Sequence, residues 1–378
     1  MNFIDLKRQY HLYKGEIDGA IKDVVESGRF VLGDQVKSLE KELGLFTGAP
    51  YAIGVSSGTD ALILCLMALG VGPGKVVVTT PFSFFATVEA ILLLGAEPAF
   101  CDIDPDTFNL DPGLLEDVLD GLLSDGRDVC GVIAVSLYGQ CADFQRINRI
   151  CEKRGLFVIE DACQSLGASF KDKMSGNLTP LAATSFFPSK PLGCFGDGGM
   201  VFTKSEPLFE RIRALRVHGD TGRYQHKYIG LNARLDEIQA AVLRVKLRHF
   251  KKEIELRQDA AKRYSMLLQT LEDQGLIKLP RILQDSQSVF AQYTIRILSG
   301  GRDEVARFLK EQGVPTAVHY PEILPKMKPL EGRIFKREAF NRAELAARQV
   351  LSLPMHAFIE EREQEQVAEA LSKAFEVI

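Results

Sequence analysis

The chain has 378 residues, 46% of them hydrophobic and 25% charged, with 46 basic against 50 acidic residues and a net charge of -4. That length supplies a large core and suits two domains. The charge balance, without any basic tract, excludes a nucleic-acid surface, and the longest apolar runs, Ala61–Val71 and Ala90–Ala96, fall short of the roughly 20 residues of a membrane span.

The start, Met1-Asn2-Phe3-Ile4-Asp5-Leu6-Lys7, lacks a signal-peptide layout. Seven cysteines, none in a Cys-x-x-Cys pair, point to reduced thiols in a cytoplasmic protein, and six histidines without ligand spacing predict no metal. In chain order, residues 11–28 and 34–46 read as amphipathic helices interrupted at Gly28 and Gly33. Short apolar runs then alternate with helical patterns. Tyr51–Val55, Val76–Thr80, Glu97–Cys101, Val129–Val135 and Leu156–Glu160 are expected strands, and Thr59–Leu69, Thr87–Leu94 and Phe144–Arg154 expected helices. Continuous apolar strands between helices predict an α/β fold with a mostly parallel sheet. Ligands of such sheets sit beyond the carboxyl ends of the strands, which selects Ser56–Thr59, Pro81–Phe85 and Asp161–Gln164. Further on come strands at Ala182–Phe186 and Gly199–Thr203, a helix at Pro207–Leu215, a polar stretch at 217–233 and a long helix from Leu235 to Thr270. Phe290–Ile297 and Val314–Tyr320 read as strands, Arg302–Gln312 and Glu361–Phe375 as helices. A domain boundary near residue 250 divides a large domain, 1–250, from a smaller α+β domain, 251–378, on which the N-terminal helices can pack.

Lys190 lies in Phe186-Phe187-Pro188-Ser189-Lys190-Pro191-Leu192-Gly193, a loop crowded with aromatics, prolines and glycines. Apolar surroundings disfavour a charged ammonium, and a neutral amine forms a Schiff base with a carbonyl or with pyridoxal phosphate. Ser56-Ser57-Gly58-Thr59 joins a strand to a helix, and free N–H groups at a helix start cradle an anion; a simple Ser/Thr cap explains the same residues. Phe82, Phe84 and Phe85 can wall a planar ring or pack in the core. Asp161, ending an apolar strand, can serve a protonated pyridinium nitrogen or cap a helix. Asp161 and Lys190 stand 29 residues apart (190 - 161), with a strand between them that can return the chain beside the first. An aspartate and a lysine then face one cofactor, a combination more specific than its parts.

On these residues the chain resembles the DegT/StrS-type nucleotide-sugar aminotransferases, a branch of the aspartate-aminotransferase-like (fold type I) pyridoxal phosphate enzymes. The likeness runs from Phe3-Ile4-Asp5-Leu6 through Ser57-Gly58-Thr59-Asp60-Ala61-Leu62, Glu160-Asp161-Ala162-Cys163-Gln164 and Ser185-Phe186-x-x-x-Lys190. It continues through Gly230-Leu231-Asn232-Ala233-Arg234 and His319-Tyr320-Pro321 to Ser352-Leu353-Pro354.

The resemblance implies a large pyridoxal-phosphate domain with a smaller C-terminal one, and pyridoxal 5'-phosphate as cofactor. It implies Lys190 as the Schiff-base lysine, Asp161 as partner of the pyridine nitrogen and Gln164 beside the phenolic oxygen. Gly58, Thr59 and Ser185 would hold the phosphate, and Phe84 would stack on the ring. Asn232 would reach the phosphate of a neighbouring subunit, which implies a homodimer with shared sites. Related dehydratases carry histidine in place of the lysine, so Lys190 implies transamination, with glutamate as donor and a keto nucleotide-sugar as acceptor. The lysine loop and Gly196-Asp197-Gly198-Gly199 are most similar to enzymes aminating C3 of UDP-2-acetamido-3-oxo-glucuronate for surface polysaccharide. Another 3- or 4-keto UDP or dTDP sugar, or a regulatory protein without turnover, stays open. Arg234 is expected to read a sugar carboxylate or to pair with Asp236 or Glu237. His319 and Tyr320 are expected at a strand end, closing over the sugar.

Overall fold

A computed structural model describes residues 1–332 and 339–378. Two helices lead, α1 (Leu6–Ser27) and α2 (Asp34–Thr47). Asp5 caps α1 by accepting from Arg8 N at 2.9 Å, so the helix begins five residues before the expected start. The expected alternation follows as β1 (Tyr51–Val55), α3 (Gly58–Ala68), β2 (Lys75–Thr79), α4 (Ala86–Leu93) and β3 (Glu97–Phe100). A helix absent from the sequence reading comes next, α5 (Pro112–Ser124), then β4 (Asp128–Val135), α6 (Phe144–Glu152) and β5 (Phe157–Asp161). Two short strands, β6 (Ser169–Phe170) and β7 (Lys173–Met174), precede β8 (Leu181–Ser185), β9 (Gly199–Thr203), α7 (Glu206–Leu215) and the long α8 (Glu237–Asp273).

Seven strands form one sheet in the order β1-β9-β8-β5-β4-β2-β3, in which β9 alone runs antiparallel to its neighbours. Side chains of a strand point alternately to its two faces, and the core divides accordingly. Val76, Val78, Val132, Ala134 and Val158 pack towards α2, α5, α6 and α8, while Val77, Ile133 and Ile159 pack towards α3, α4 and α7. With helices on both faces the strands have no solvent side, which is why they read as unbroken apolar runs. Each such buried Val, Ile or Leu stabilises the fold by about 1.5–3 kcal/mol. The same alternation sends Glu160 to one face and Asp161 to the other. Glu160 accepts from Ser175 Oγ, Gly176 N and Leu178 N, and Asp161 turns towards α3 and α4.

The remainder comprises β10 (Ile277–Lys278), β11 (Ser286–Gln287), β12 (Tyr293–Ile297), α9 (Arg302–Glu311), α10 (Asn341–Gln349), β13 (Val350–Leu353) and α11 (Glu361–Val377). A second sheet, β10-β12-β13, buries Tyr293, Ile295 and Leu351 against Tyr264 and Leu268 of α8 and Leu371 of α11. Core partners of α8 change between Ile254, which faces the large sheet, and Ala260, which faces the small one. Contacts between these parts include the pairing of β11 with β6, a bond from Met355 N to Phe3 O at 3.1 Å, and bonds from Arg342 N and Ala343 N at the start of α10 to the Asp102 carboxylate.

The expected strand Val314–Tyr320 does not form. Only Ala317 exchanges bonds with a neighbour, Ser352, at 3.1 and 2.8 Å. Pro315 has no N–H to donate, and Pro321 ends the segment. His319 and Tyr320 therefore stand on a loop, not at a strand end.

Candidate active site

The carboxyl ends of β1, β2, β4, β5 and β8 reach the same edge of the sheet. Asp161 is the last residue of β5 and pairs in register with Ala183 of β8, two residues before Ser185. It is 4% exposed. Thr87 Oγ1 donates to its Oδ2 at 2.9 Å and Cys163 N to its Oδ1 at 3.2 Å. No helix follows Asp161, so it is not a helix cap. Among the described residues no basic side chain forms an ion pair with it, leaving a buried carboxylate held only by neutral donors. Such a group calls for a cation.

Gly58 and Ser185 meet at the same edge. A Cβ on Gly58 would lie 2.7 Å from Ser185 Cβ and 2.9 Å from Cys163 Sγ, so only glycine fits. Ser57 caps α3 by accepting from Asp60 N at 3.0 Å, and the hydroxyls of Ser56 and Ser57 hold the Asp60 carboxylate at 2.5 and 3.2 Å. The capping reading of the serines is therefore correct. It leaves the first amides of α3, at Gly58 and Thr59, available for an anion beside Ser185.

Lys190 follows a tight turn, its N–H donating to Phe187 O at 2.8 Å. It is half-buried, and its charge acts on both Cys163 and His319. Of the aromatics around it Phe186 is fully buried and Phe187 is exposed. Burial, then the Asp161 charge, holds the Cys163 thiol well above its usual pKa. Burial, assisted by Lys190, lowers the pKa of His319 and keeps its imidazole neutral near pH 7.

Gln164 is fixed from two sides. Its Oε1 accepts from Tyr138 N at 2.9 Å, and its Nε2 donates to Tyr320 Oη at 3.2 Å. Tyr138 also donates its hydroxyl to His319 O. His319 Nδ1 lies 3.1 Å from Ser352 Oγ. Burial raises the pKa of both tyrosines, so their hydroxyls stay protonated. The loop carrying His319 and Tyr320 is thus tied to the strand tips. Phe82 is core, fully buried, with its ring 6.2 Å from that of Tyr320. Phe84 is 57% exposed and also stands 6.2 Å from Tyr320, so it is the aromatic free to meet a ligand. Phe85 is half-buried at the start of α4.

Asn232 is exposed and pairs with Val217 through a single bridge. Arg234 is half-buried and, among the described residues, forms no ion pair or hydrogen bond. Neither expected carboxylate takes it. Glu237 accepts from Gln35 N and Val36 N at 2.9 and 3.0 Å, and Asp236 is exposed.

A profile of the DegT/DnrJ/EryC1/StrS aminotransferase family matches residues 12–372. The chain belongs to this family. It is 48% identical over 360 residues to the UDP-2-acetamido-2-deoxy-3-oxo-D-glucuronate aminotransferase of Pseudomonas aeruginosa, covering 95% of this chain and 96% of that one. It is also 42% identical to a pleiotropic regulatory protein of Geobacillus stearothermophilus, over 98% of each. A DegT DnrJ EryC1 StrS aminotransferase from Brucella abortus superposes with a TM-score of 0.95 at 37% identity, over 99% of both chains. NtdA of Bacillus subtilis, crystallised with bound PMP, superposes with a TM-score of 0.90 at 29% identity, covering 100% of this chain and 85% of that one.

Four residues are given no role in the sequence reading. Thr87 holds Asp161, and Cys163 borders Gly58, Asp161 and Lys190. Tyr138 binds both Gln164 and the His319 carbonyl. Ser136, fully buried at the tip of β4, has a hydroxyl without a partner. Ser136, Tyr138 and Cys163 lie just past strand ends, so position along the sheet was the available signal for them, whereas Thr87 lies inside α4. Among the described residues no helix is long and apolar enough to cross a membrane, and no disulfide joins two cysteines.

Proposed function

We propose that this chain is a pyridoxal-phosphate-dependent aminotransferase moving an amino group from glutamate to a keto nucleotide-sugar. The acceptor it fits best is UDP-2-acetamido-2-deoxy-3-oxo-glucuronate, aminated at C3 for surface polysaccharide or lipopolysaccharide synthesis in the cytoplasm. The observation that carries this reading is a buried Asp161 without a cationic partner among the described residues at the tip of β5, with a half-buried Lys190 in the loop that leaves the neighbouring parallel strand β8.

The site residues fit the cofactor. Asp161 would face its pyridinium nitrogen, the α3 amides at Gly58 and Thr59 with Ser185 its phosphate, and Gln164 its phenolic oxygen. Phe84 would cover the ring. When bound, pyridoxal phosphate supplies an electron sink for the carbon that loses a proton. Lys190 would hold the group through its amine, and once the incoming amino donor has displaced that amine its free Nζ would take the proton from the donor's α-carbon. Asp161 would keep the ring nitrogen protonated. Tyr320, pinned by Gln164, and His319 would line the sugar side.

Arg234 supports a uronate acceptor because it is a half-buried guanidinium without a protein carboxylate. A planar fork binds a carboxylate through two parallel bonds. Arg234→Lys keeps the charge and loses that geometry. The half-reaction with the uronate is expected to slow about ten- to a hundredfold, the value of a charged hydrogen bond, while the glutamate half-reaction is unchanged. Equal losses on the uronate and the matching hexose would remove Arg234 from carboxylate recognition.

The homodimer with shared sites is supported by the loop that carries Asn232. Tyr224 and Ile229 in it are each 91% exposed, and a pair of large apolar side chains in the open is what a partner surface covers. Chains carrying Asn232→Ala with Lys190 intact are mixed with chains carrying Lys190→Ala with Asn232 intact. Each hybrid dimer then holds one intact site and one doubly damaged site, so activity is expected to return. No recovery after demonstrated subunit exchange would count against the shared site. The division into domains 1–250 and 251–378 is likewise proposed, supported by the change of core partners along α8.

A turnover screen of UDP- and dTDP-linked 3- and 4-keto sugars with glutamate tests the substrate. The UDP-linked 3-oxo-uronate is expected to be the best acceptor; a preference for a 4-keto or dTDP sugar would redirect the assignment. The name of the Geobacillus relative makes a regulatory role the second reading. Lys190, Asp161 and Gln164, all present and assembled, favour turnover.

A further inference from the structure

The long helix α8 grips the loop that carries Lys190 at two points. Gln239 Oε1 accepts from Phe195 N at 2.8 Å, and its Nε2 donates to Phe195 O at 3.3 Å. Two turns along the helix, Lys246 Nζ donates to Gly193 O at 2.7 Å and lies 4.7 Å from the centre of the Phe195 ring. Lys246 is 2% exposed. The loop itself closes on its own backbone. Lys190 N donates to Phe187 O and Cys194 N to Phe186 O, both at 2.8 Å. A Cβ on Gly193 would lie 2.4 Å from Pro188 O, so the two arms of the loop touch and whatever fixes Gly193 fixes both.

A buried ammonium is expensive to desolvate. Burial lowers the Lys246 pKa to about 8, against the pull of Glu253 and Cys194. Its counter-charge lies on the same face of α8. Glu253 is 2% exposed and accepts from Gln9 Nε2 of α1 at 2.8 and 3.0 Å. Arg257, one turn further, is 5% exposed and donates to Phe290 O at 3.3 Å. Nothing in the proposed chemistry uses this row of buried charges, and its first member ends on the lysine loop.

We infer that Lys246 is a positioning residue for Lys190: its ammonium, through Gly193 O and the Phe195 ring, holds the loop so that the Lys190 amine stays presented to the strand tips. This rests on Lys190 being the reacting lysine.

The test is Lys246→Met, which keeps the aliphatic length and removes the charge. Cys194 reports on the loop, because its buried thiol is bonded to Phe186 O at 3.0 Å and Gly196 O at 3.1 Å. In cofactor-free full-length protein, alkylation of Cys194 by iodoacetamide, read on its peptide by mass spectrometry, is expected to accelerate about tenfold, with Cys141 and Cys151 unchanged. In the holoenzyme, the single-turnover rate with glutamate is expected to fall by about the same factor, with half-saturation by glutamate unmoved. The pH titration of the cofactor's visible band is expected to shift, and Lys246→Arg to restore part of the rate. Gln239→Leu, which removes the other grip, is expected to act in the same direction and serves if Lys246→Met does not fold. Unchanged Cys194 alkylation in the folded variants would overturn the inference. So would faster alkylation with an unaltered band and half-reaction, since the loop would then be held without consequence for Lys190. If instead Lys190→Ala kept the covalent band, the proposed function would fall for a separate and recognisable reason.

Discussion

Lys190→Ala is expected to give a folded protein that binds the cofactor without a covalent link and loses essentially all turnover. The residue stands in a loop whose shape rests on backbone bonds and on α8, and among the described residues its side chain forms no hydrogen bond or ion pair, so removing it is expected to leave the fold intact. A positioned proton-transfer group is worth about 10²–10⁴-fold in rate, and the covalent anchor is lost as well. The visible band of the lysine-linked cofactor should be absent from the variant, and borohydride should fix no cofactor to the denatured chain, whereas in the unaltered protein it should leave the cofactor attached through a reduced C–N bond. Wild-type turnover in this variant would remove Lys190 from the centre of the account.

Asp161→Asn is expected to retain the cofactor and slow the glutamate half-reaction about ten- to a hundredfold. The amide matches the carboxylate in shape and can still accept from Thr87 Oγ1 or Cys163 N, the two bonds that hold the side chain. What it cannot do is stabilise a positive charge on the ring nitrogen. Hydrogen bonds to charged groups are worth roughly 1.5–3 kcal/mol, which sets the expected range. Single-turnover absorbance after mixing with glutamate measures it. An unchanged rate would reduce Asp161 to a buried anchor for Thr87.

The two predictions come from residues that the chain itself advertised, and the reason is physical. The strands of the large sheet are buried on both faces, so Val76-Val77-Val78 and Val132-Ile133-Ala134 read as unbroken apolar runs, and the polar residues at their tips stand out. The features that escaped depend on contacts far apart in sequence. The short helix α10 has only Ala343, Ala346 and Ala347 as buried residues, and its start is held by Asp102, about 240 positions away. The segment 314–320 has the composition of a strand but contains Pro315, is followed by Pro321, and pairs with a neighbouring strand through Ala317 alone among its described residues. The helix α5 is absent from the sequence reading for a different reason: its start signal is local but unread, Asp111 accepting from Gly113 N at 2.7 Å ahead of a proline in the first turn. Lys246, in contrast, reads as one more exposed cation on a charged helix, and only the fold places it against the lysine loop.

The central claim is that Lys190 and Asp161 serve a cofactor that takes an amino group from glutamate. The most direct measurement adds glutamate alone to the purified holoenzyme and follows the visible spectrum and released 2-oxoglutarate. The account predicts that the lysine-linked band is replaced by the pyridoxamine spectrum, with 2-oxoglutarate formed in proportion to active sites, and that the keto-sugar acceptor restores the original band. A spectrum unmoved by glutamate, with no 2-oxoglutarate formed, would contradict it.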